Sequence, residues 1–456
     1  MPADIKILKF GGTSVEDWPA FERAAQIVRA GAGSGLVVIV SAIGGFTDAL
    51  IKSFQSGTTG ETARALLSLE EHFERHLTVA GNLSPSALTA MAALIEKTRR
   101  EISELLGLAA TSDLARLRTQ DKIVSFGEFL SANLLTLVLE QHGIPASYVD
   151  ARRCIVTNEA HGNASPLLAE VSSRTKSELK PLLERRRVSV LGGFIGATSD
   201  GIPTTLGRGS SDYSATLIGA ALDAGEIQIW TDVDGLQTAD PALVKSARTV
   251  PNISYEEASQ LARLGARLMH PKMIEPIVEP RIPIRIRNSR AAEQPGTLIS
   301  VKSEPGSEVN SEVIKAIAYR PSITTIDIRS TPAFVANGFG HAISEVFAQH
   351  QTELHIVARS KESITCAYEE DGKLPSVVQD LKRLGSVEVG RERAIIGCVG
   401  DDLGNGSSGG AAMLGALRNI DPSLTWHGSG GNNLIAIVAG DQVGSIVKRL
   451  HQGIFE

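Results

Sequence analysis

Ile5-Lys6-Ile7-Leu8-Lys9-Phe10-Gly11-Gly12-Thr13-Ser14-Val15 opens the chain as an apolar run that closes on a lysine, paired glycines and hydroxyl side chains. The run reads as a strand, and the residues after it read as a turn leading to a helix. Such a turn has the parts needed to hold phosphate. Glycines let backbone N–H groups approach an anion closely, a helix N-terminus adds positive potential, and Lys9 supplies a point charge. The GxxxxGK[ST] spacing of a Walker A loop is absent. Gly11-Gly12 alone would read equally well as a plain turn; Lys9 before it and Thr13-Ser14 after it favour the anion.

The rhythm set by this stretch continues downstream. Trp18 to Val28 carries apolar residues at helical spacing, Gly31, Gly33 and Gly35 interrupt it, and Leu36-Val37-Val38-Ile39-Val40 comes next as an unalternating β-branched run. Runs of that kind are buried on both faces of a parallel sheet. Ser41 to Asp48 then gathers small and hydroxyl residues at a strand's C-terminal end, which is where ligands sit in open α/β sheets. Val188 to Gly196 and Ile227 to Gly235 repeat the pattern, and Ile284-Arg285-Ile286-Arg287-Asn288 reads as the last strand of this domain.

Between the strands, Thr62 to Leu108 reads as helices that demand no chemistry. Asp121 to Glu128 leads into an apolar helix from Phe129 to Leu139, and Glu128 falls in its first turn, where a carboxylate is electrostatically favoured as a cap. Thr198 to Asp212 is a loop rich in glycine and hydroxyls that enters a small-residue helix, a candidate anion site. Arg208 there can clamp a carboxylate or phosphate bidentately, and Asp212 can orient a metal or a cationic group. Ser254-Tyr255-Glu256-Glu257 is a capping box that starts a helix through Leu268, with His270 as a helix-end residue.

Composition narrows the class. At 456 residues the chain calls for more than one core, and 42% apolar with 21% charged residues is the balance of soluble globular protein. A net charge of −6 without a basic block argues against nucleic acid and anionic membranes. The 3 cysteines, Cys154, Cys366 and Cys398, are far apart and form no CxxC pair, so neither a disulfide framework nor a zinc site is expected. With no secretory signal and no apolar run near the ~18 residues of a membrane span, a cytoplasmic location is expected.

From about Pro295 to Ser311 the sequence turns to Pro, Gly, Ser and Glu, the mark of a linker. Two similar units come after it. The first reads as strands at Val313–Tyr319 and Ile323–Ile328, a helix at Gly340–His350, strands at Glu353–Val357 and Ser363–Tyr368, a helix at Leu374–Leu384 and a short strand near Val387. The second reads as a strand at Ala394–Val399, a helix at Gly409–Asn419, strands at Leu424–Trp426 and Asn433–Val438, and a helix at Asp441–His451. Their first helices start roughly 70 residues apart, as in a duplicated βαββαβ module. The resulting boundaries are 1–295, a linker at 296–311, and modules at 312–390 and 391–456.

Taken together, Lys9-Phe-Gly-Gly-Thr-Ser-Val, Ser125-Phe-Gly-Glu128, Thr204-Thr-Leu-Gly-Arg-Gly-Ser-Ser-Asp212-Tyr, Trp230-Thr-Asp-Val-Asp-Gly235 and Gly265-Ala-Arg-Leu-Met-His-Pro271 resemble aspartate kinase over essentially the whole chain. The resemblance implies an amino-acid-kinase-like three-layer αβα sandwich with a mostly parallel sheet, followed by ferredoxin-like ACT-type regulatory domains. It implies ATP-dependent phosphorylation of the β-carboxylate of L-aspartate at the head of the lysine, threonine and methionine pathways. By position, Lys9 contacts the ATP phosphates, with Lys9, Arg208 and Asp212 as the catalytic set. Ser41, Thr47, Glu128, Thr205, Arg208, Ser211 and Asp212 form the aspartate pocket, with Arg208 on the α-carboxylate and Glu128 on the ammonium. Lys9, Gly11, Gly12, Thr231, Asp232, Gln237 and Arg267 line the nucleotide site. Mg2+ bridges the nucleotide phosphates, and no residue is assigned as a direct metal ligand. An amino-acid effector at the ACT-type domains and a homodimer, with a tetramer as the alternative, complete the expected partners.

The chain departs from the family pattern in places. Gln237-Thr-Ala-Asp-Pro-Ala242 stands where many members have Tyr-Thr-Thr-Asp-Pro-Arg, and Arg267 replaces a lysine, so weaker or altered nucleotide binding is expected. Leu354-His355-Ile356-Val357-Ala358-Arg359-Ser360 lacks the aspartate and threonines of lysine-inhibited members, so lysine inhibition should be reduced or replaced. The competing readings are a kinase of the same fold acting on an aspartate analogue and a catalytically idle amino-acid sensor. Intact Lys9, Glu128, Arg208 and Asp212 weigh against the sensor.

Overall fold

The computed structural model describes residues 4–456 apart from 32, 34, 109–112, 208, 267–270, 302–313, 331–337, 351, 353, 355, 360–362, 370–371, 401–402, 404–410, 412, 414, 416, 418–423 and 428–432. They fall into two units. One comprises 1–236, 251–255 and 268–303, and the other 237–250, 256–267 and 304–456.

The first unit is built on an eight-stranded sheet. Its central strands are β1 (Ile5–Phe10), β2 (Gly35–Val40), β5 (Val188–Gly192), β8 (Glu226–Thr231) and β10 (Ile284–Asn288), all parallel, and β3 (Ala146–Tyr148) adds a parallel edge. Of these, β2 and β5 are buried along their whole length, whereas β8 and β10 alternate buried with half-buried positions. Leu8, Phe10, Val38 and Val40 pack into a core with α1 (Trp18–Ala30), α2 (Phe46–Gly57), α4 (Glu70–Gly81), α5 (Pro85–Leu108) and α7 (Phe126–Gln141). The opposite face meets α8 (Leu168–Glu184) and α9 (Ser211–Leu222), where Gly219 lets Ile227 and Ile7 come close. Asp17 caps α1 by accepting from Ala20 N–H at 2.9 Å, and Pro19 sits in its first turn.

Several sequence expectations are corrected here. The segment expected as a linker at 296–311 begins with a strand, β11 (Thr297–Ser300), which pairs antiparallel with β10 and parallel with β9 (Asn252–Ser254). The last strand of the sheet is therefore not Ile284–Asn288. The helix bearing Glu128 starts at Phe126, continuing from α6 (Asp113–Val124). Among the described residues the helical stretch Ala115–Gln141 is long and apolar enough by composition to cross a membrane, against expectation, but 72% of its apolar window is buried. Its leucines belong to the core. The capping-box helix, α10 (Tyr255–Arg263), ends before Leu268, just ahead of a left-handed Gly265.

In the second unit the duplicated modules share one six-stranded antiparallel sheet of order β13-β14-β12-β15-β17-β16: β12 (Ile314–Ser330), β13 (Ile356–Arg359), β14 (Ser363–Glu369), β15 (Gly385–Gly400), β16 (Leu424–His427) and β17 (Asn433–Ala439). The long β12 and β15 each serve both modules. Ile326 and Ile328 pack with α12 (Phe339–Gln349) and α13 (Leu374–Leu381), whereas Ile314 and Ile317 pack with β17 and α14 (Val443–Phe455). A division at 390/391 thus cuts through one strand, and the start of β12 belongs to the later core. Ala239 and Val244 join that core, although the sequence reading put them in the first domain. The helix expected at Gly409–Asn419 lies largely outside the described residues.

Candidate active site

The parallel strands deliver their C-terminal ends to one edge of the sheet, and the opening turn sits in the middle of it. Lys9 lies in register with Ile39 of β2 and Ile229 of β8. Its ammonium is 2.7 Å from Asp212 Oδ1, in the first turn of α9, and both side chains are nearly buried. The glycines act through the absence of a side chain: a Cβ on Gly12 would stand 2.9 Å from the Ala42 carbonyl oxygen. Gly11 N–H donates to Trp230 O at 3.0 Å and ties the turn to the end of β8. Ser14 shares a hydrogen bond with Ser289 at 2.9 Å, so its hydroxyl holds the turn together. Gly12–Val15 is a 3-10 turn.

Glu128 projects from the first turn of α7 and is 3% exposed. Burial pushes its carboxyl up to about 8; hydrogen bonds with backbone at Ala42 and at Glu128 itself, and the charge of Lys9, oppose the rise. Among the described residues its Oε2 has no hydrogen-bond partner. A buried polar atom of this kind takes a partner from water or from a bound ligand. The N-cap residue Ser125 makes no side-chain cap, its hydroxyl donating to Lys122 O.

The hydroxyls divide. Ser41 comes directly after β2, with its N–H donating to Phe10 O at 3.0 Å, and Thr47 lies in the first turn of α2. Ser211 begins α9, close against Gly193, where a Cβ would stand 2.7 Å from Ser211 Cβ. Thr231 ends β8 and donates to Asp232 Oδ1 at 3.2 Å. Thr205 is different, because its Oγ1 is already committed to Asp121 Oδ1 at 2.6 Å. Gln237 lies in the second unit and donates to Thr249 Oγ1 at 3.0 Å. Arg208, Arg267, His270, His355 and Ser360 lie outside the described residues.

Sequence reading missed the support behind Thr205. Asp121 accepts from Thr205, from His161 Nδ1 at 2.8 Å and from Gly162 N–H at 3.0 Å, and burial foremost raises its carboxyl above the usual range. Asp121 stood in the stretch leading to Glu128, but nothing local marked a partner 84 residues away. Phe194 was missed as well: it is held left-handed at φ 66, with its N–H donating to Ser214 Oγ. Non-glycine residues in that region concentrate at functional sites.

Among the described residues no group of three or more His, Cys, Asp or Glu is arranged to hold a metal ion. Asp212 and Asp232 are isolated carboxylates at this edge. That donor set fits Mg2+ carried in on nucleotide phosphates, because Mg2+ keeps most of its ligands from phosphate and water.

A nearly buried lysine–aspartate pair and a glycine-lined turn at a parallel sheet edge are parts that phosphoryl transfer can use. Residues 4–288 match the amino acid kinase family. Over the full length of both chains the protein is 31% identical to lysine-sensitive aspartokinase 3 of Escherichia coli, and it is 29% identical to chloroplastic aspartokinase 1 of Arabidopsis thaliana over 99% of this chain and 80% of that one. Among solved structures, E. coli aspartokinase III with aspartate and ADP in the R-state matches with a TM-score of 0.88 at 30% identity, over 99% of this chain and all of the other. The same enzyme with lysine and aspartate in the T-state matches at 0.79, with the same identity and coverage. The chain therefore belongs to the amino acid kinase family and, within it, to the aspartokinases.

Proposed function

We propose that the protein transfers the γ-phosphoryl group of ATP to the β-carboxylate of L-aspartate, giving 4-phospho-L-aspartate and ADP as the first step of the aspartate-family pathway. The observation that carries this reading is the Lys9–Asp212 pair at 2.7 Å beside a buried Glu128 whose Oε2 lacks a partner. An ionised carboxylate is already a nucleophile, so the site needs positioning and cationic stabilisation rather than a strong base. Lys9 stabilises the charge that develops on the phosphoryl group. Glu128 takes the substrate ammonium, Ser41, Thr47 and Ser211 orient the acceptor, and Arg208 takes the α-carboxylate. Thr205 reaches the pocket as part of the Asp121 network. Gly11, Gly12, Thr231 and Asp232 line the nucleotide side. Asp212 and Asp232 are the carboxylates that would help hold Mg2+ carried in on the nucleotide, which would supply neutralisation of phosphate charge.

Trapping the acyl phosphate with hydroxylamine while ADP release is monitored tests the reaction. Hydroxamate is expected with L-aspartate and not with L-glutamate or without acceptor; ADP release indifferent to aspartate would overturn it. The regulatory unit is proposed to bind an amino-acid effector other than lysine and to pair as a homodimer. The stretch Leu354 to Ser360 carries a histidine and an arginine in its sequence, and such residues are poor hosts for a cationic lysine side chain. Calorimetric titration with lysine should therefore give little or no heat of binding, and tight binding would refute this.

A further inference from the structure

We propose that Arg75 is a positioning residue for phosphoryl transfer, its guanidinium fixing the loop after Gly11-Gly12 against the loop between Ser41 and Thr47. The inference rests on the kinase reading of this site. Arg75 stands on α4, a helix to which the sequence assigned no chemistry, and it reaches both loops at once. Nη1 donates to Gly44 O at 2.8 Å and Nη2 donates to Glu16 O at 2.9 Å. The acceptors lie 31 and 59 residues away in sequence.

The loops depend on such a tie because they meet backbone to backbone. A Cβ on Gly12 would stand 2.9 Å from Ala42 O and 3.4 Å from Gly44 Cα, and a Cβ on Gly44 would stand 3.6 Å from Gly12 O. Gly12 and Gly44 put no side chain of their own into that contact. A guanidinium is a rigid planar fork whose donors have fixed spacing, so two carbonyls bound to it are held at a fixed separation. The helix holds the second loop in another way. The His72 ring stacks on Phe46 at 5.0 Å, Phe73 and His76 meet Phe46 edge-on, and Thr47 is the next residue. On the first loop, the Glu16 carboxylate accepts from Arg290 Nη2 at 3.0 Å. One loop presents the phosphate-holding turn and the other presents acceptor-side hydroxyls, so a slip between them misaligns donor and acceptor. Misplacement by about 1 Å costs on the order of a hundredfold in rate.

The test uses the full chain with Arg75→Ala and Arg75→Lys. Hydroxamate formation is expected to fall roughly ten- to hundredfold in kcat, with thermal melting little changed. Lysine keeps the charge but not the fork, so Arg75→Lys should remain close to Arg75→Ala. Millimolar guanidinium, but not ammonium, should restore part of the activity of Arg75→Ala. Unchanged kcat in a variant whose parent is active overturns the proposal, as does a loss that tracks the folded fraction and resists guanidinium. Hydrogen exchange separates this idea from the identity of the acceptor. Faster amide exchange at 11–16 and 41–47 in Arg75→Ala is expected even if the parent does not phosphorylate aspartate, and unchanged exchange there overturns the clamp.

Discussion

Lys9 and Asp212 neutralise each other in a nearly dry site, which makes their separate contributions measurable. Lys9→Met removes the cation that the transferred phosphoryl group needs and should lower kcat on the order of 10²–10³-fold. It also strands the Asp212 carboxylate, so the variant should melt early. Adding Asp212→Asn should recover melting temperature without recovering kcat; recovery of both would show that the lysine is only a structural partner. Glu128 yields a pH prediction. Its carboxyl, ordinarily near 4.5, is raised to about 8 in the folded chain. Between those values the folded chain holds a proton that the unfolded chain has lost, so this group's contribution to stability declines as pH rises through that window. Glu128→Gln should therefore gain melting temperature relative to the parent from pH 5 toward 8 and level off above. Substrate ammonium should ionise Glu128, so aspartate binding at pH 7 should release protons. Binding heats that do not vary with the buffer's ionisation enthalpy would contradict that.

At the scale of elements, the site depends on strands and helices touching where glycine removes a side chain. Gly192 of β5 meets α7 at Glu128: an added methyl would lie 2.8 Å from Glu128 Cβ and 3.2 Å from its backbone. Gly192→Ala should force α7 outward, cost about 1–3 kcal/mol, and raise the aspartate KM. Gly219→Ala is the control. Its methyl meets side chains rather than backbone, the Cδ1 end of Ile227 at 2.6 Å and Ile7 Cγ1 at 3.4 Å, and the helix gains up to about 1 kcal/mol in propensity. Equal denaturation midpoints for the two variants would count against the α7 contact. β2 was legible because burial on both faces leaves a continuous β-branched run, and β8 and β10 because their isoleucines alternate with half-buried polar residues. β11 was not legible, because Thr297–Ser300 is short, sits among Pro, Gly and Ser, and owes its place to β10 and β9. The start of β6 (Ile195–Thr198) read as the end of the strand at Val188 to Gly196, and β7 (Pro203–Thr205) read as loop; in the fold they pair with each other, and β6 with β4 (Val156–Thr157).

At the scale of the whole chain, the second unit draws on segments far from its main body. Within it Ala239 and Val244 pack with Ile446 and Leu450, Thr238 shares a hydrogen bond with His451 Nε2 at 3.0 Å, and Asn433 Nδ2 donates to Gln260 Oε1 at 2.7 Å. A chain ending at Ser303 would keep 237–250 and 256–267 without the core that buries them. Such a chain should bind a hydrophobic dye and aggregate, and a dye-silent, monodisperse product would show that these segments fold without that core.

The sequence by itself determined the parallel α/β rhythm, the phosphate-holding turn at Lys9 and the ordered motifs that mark an aspartokinase, because each is written in local spacing. Tertiary structure decided what spacing cannot carry. It coupled Lys9 to Asp212, left Glu128 Oε2 without a partner in a dry pocket, committed Thr205 to Asp121, and ran β12 and β15 through both regulatory modules. Those outcomes depend on long-range contacts and on how much water is excluded around each charge, quantities that exist only once the chain has closed.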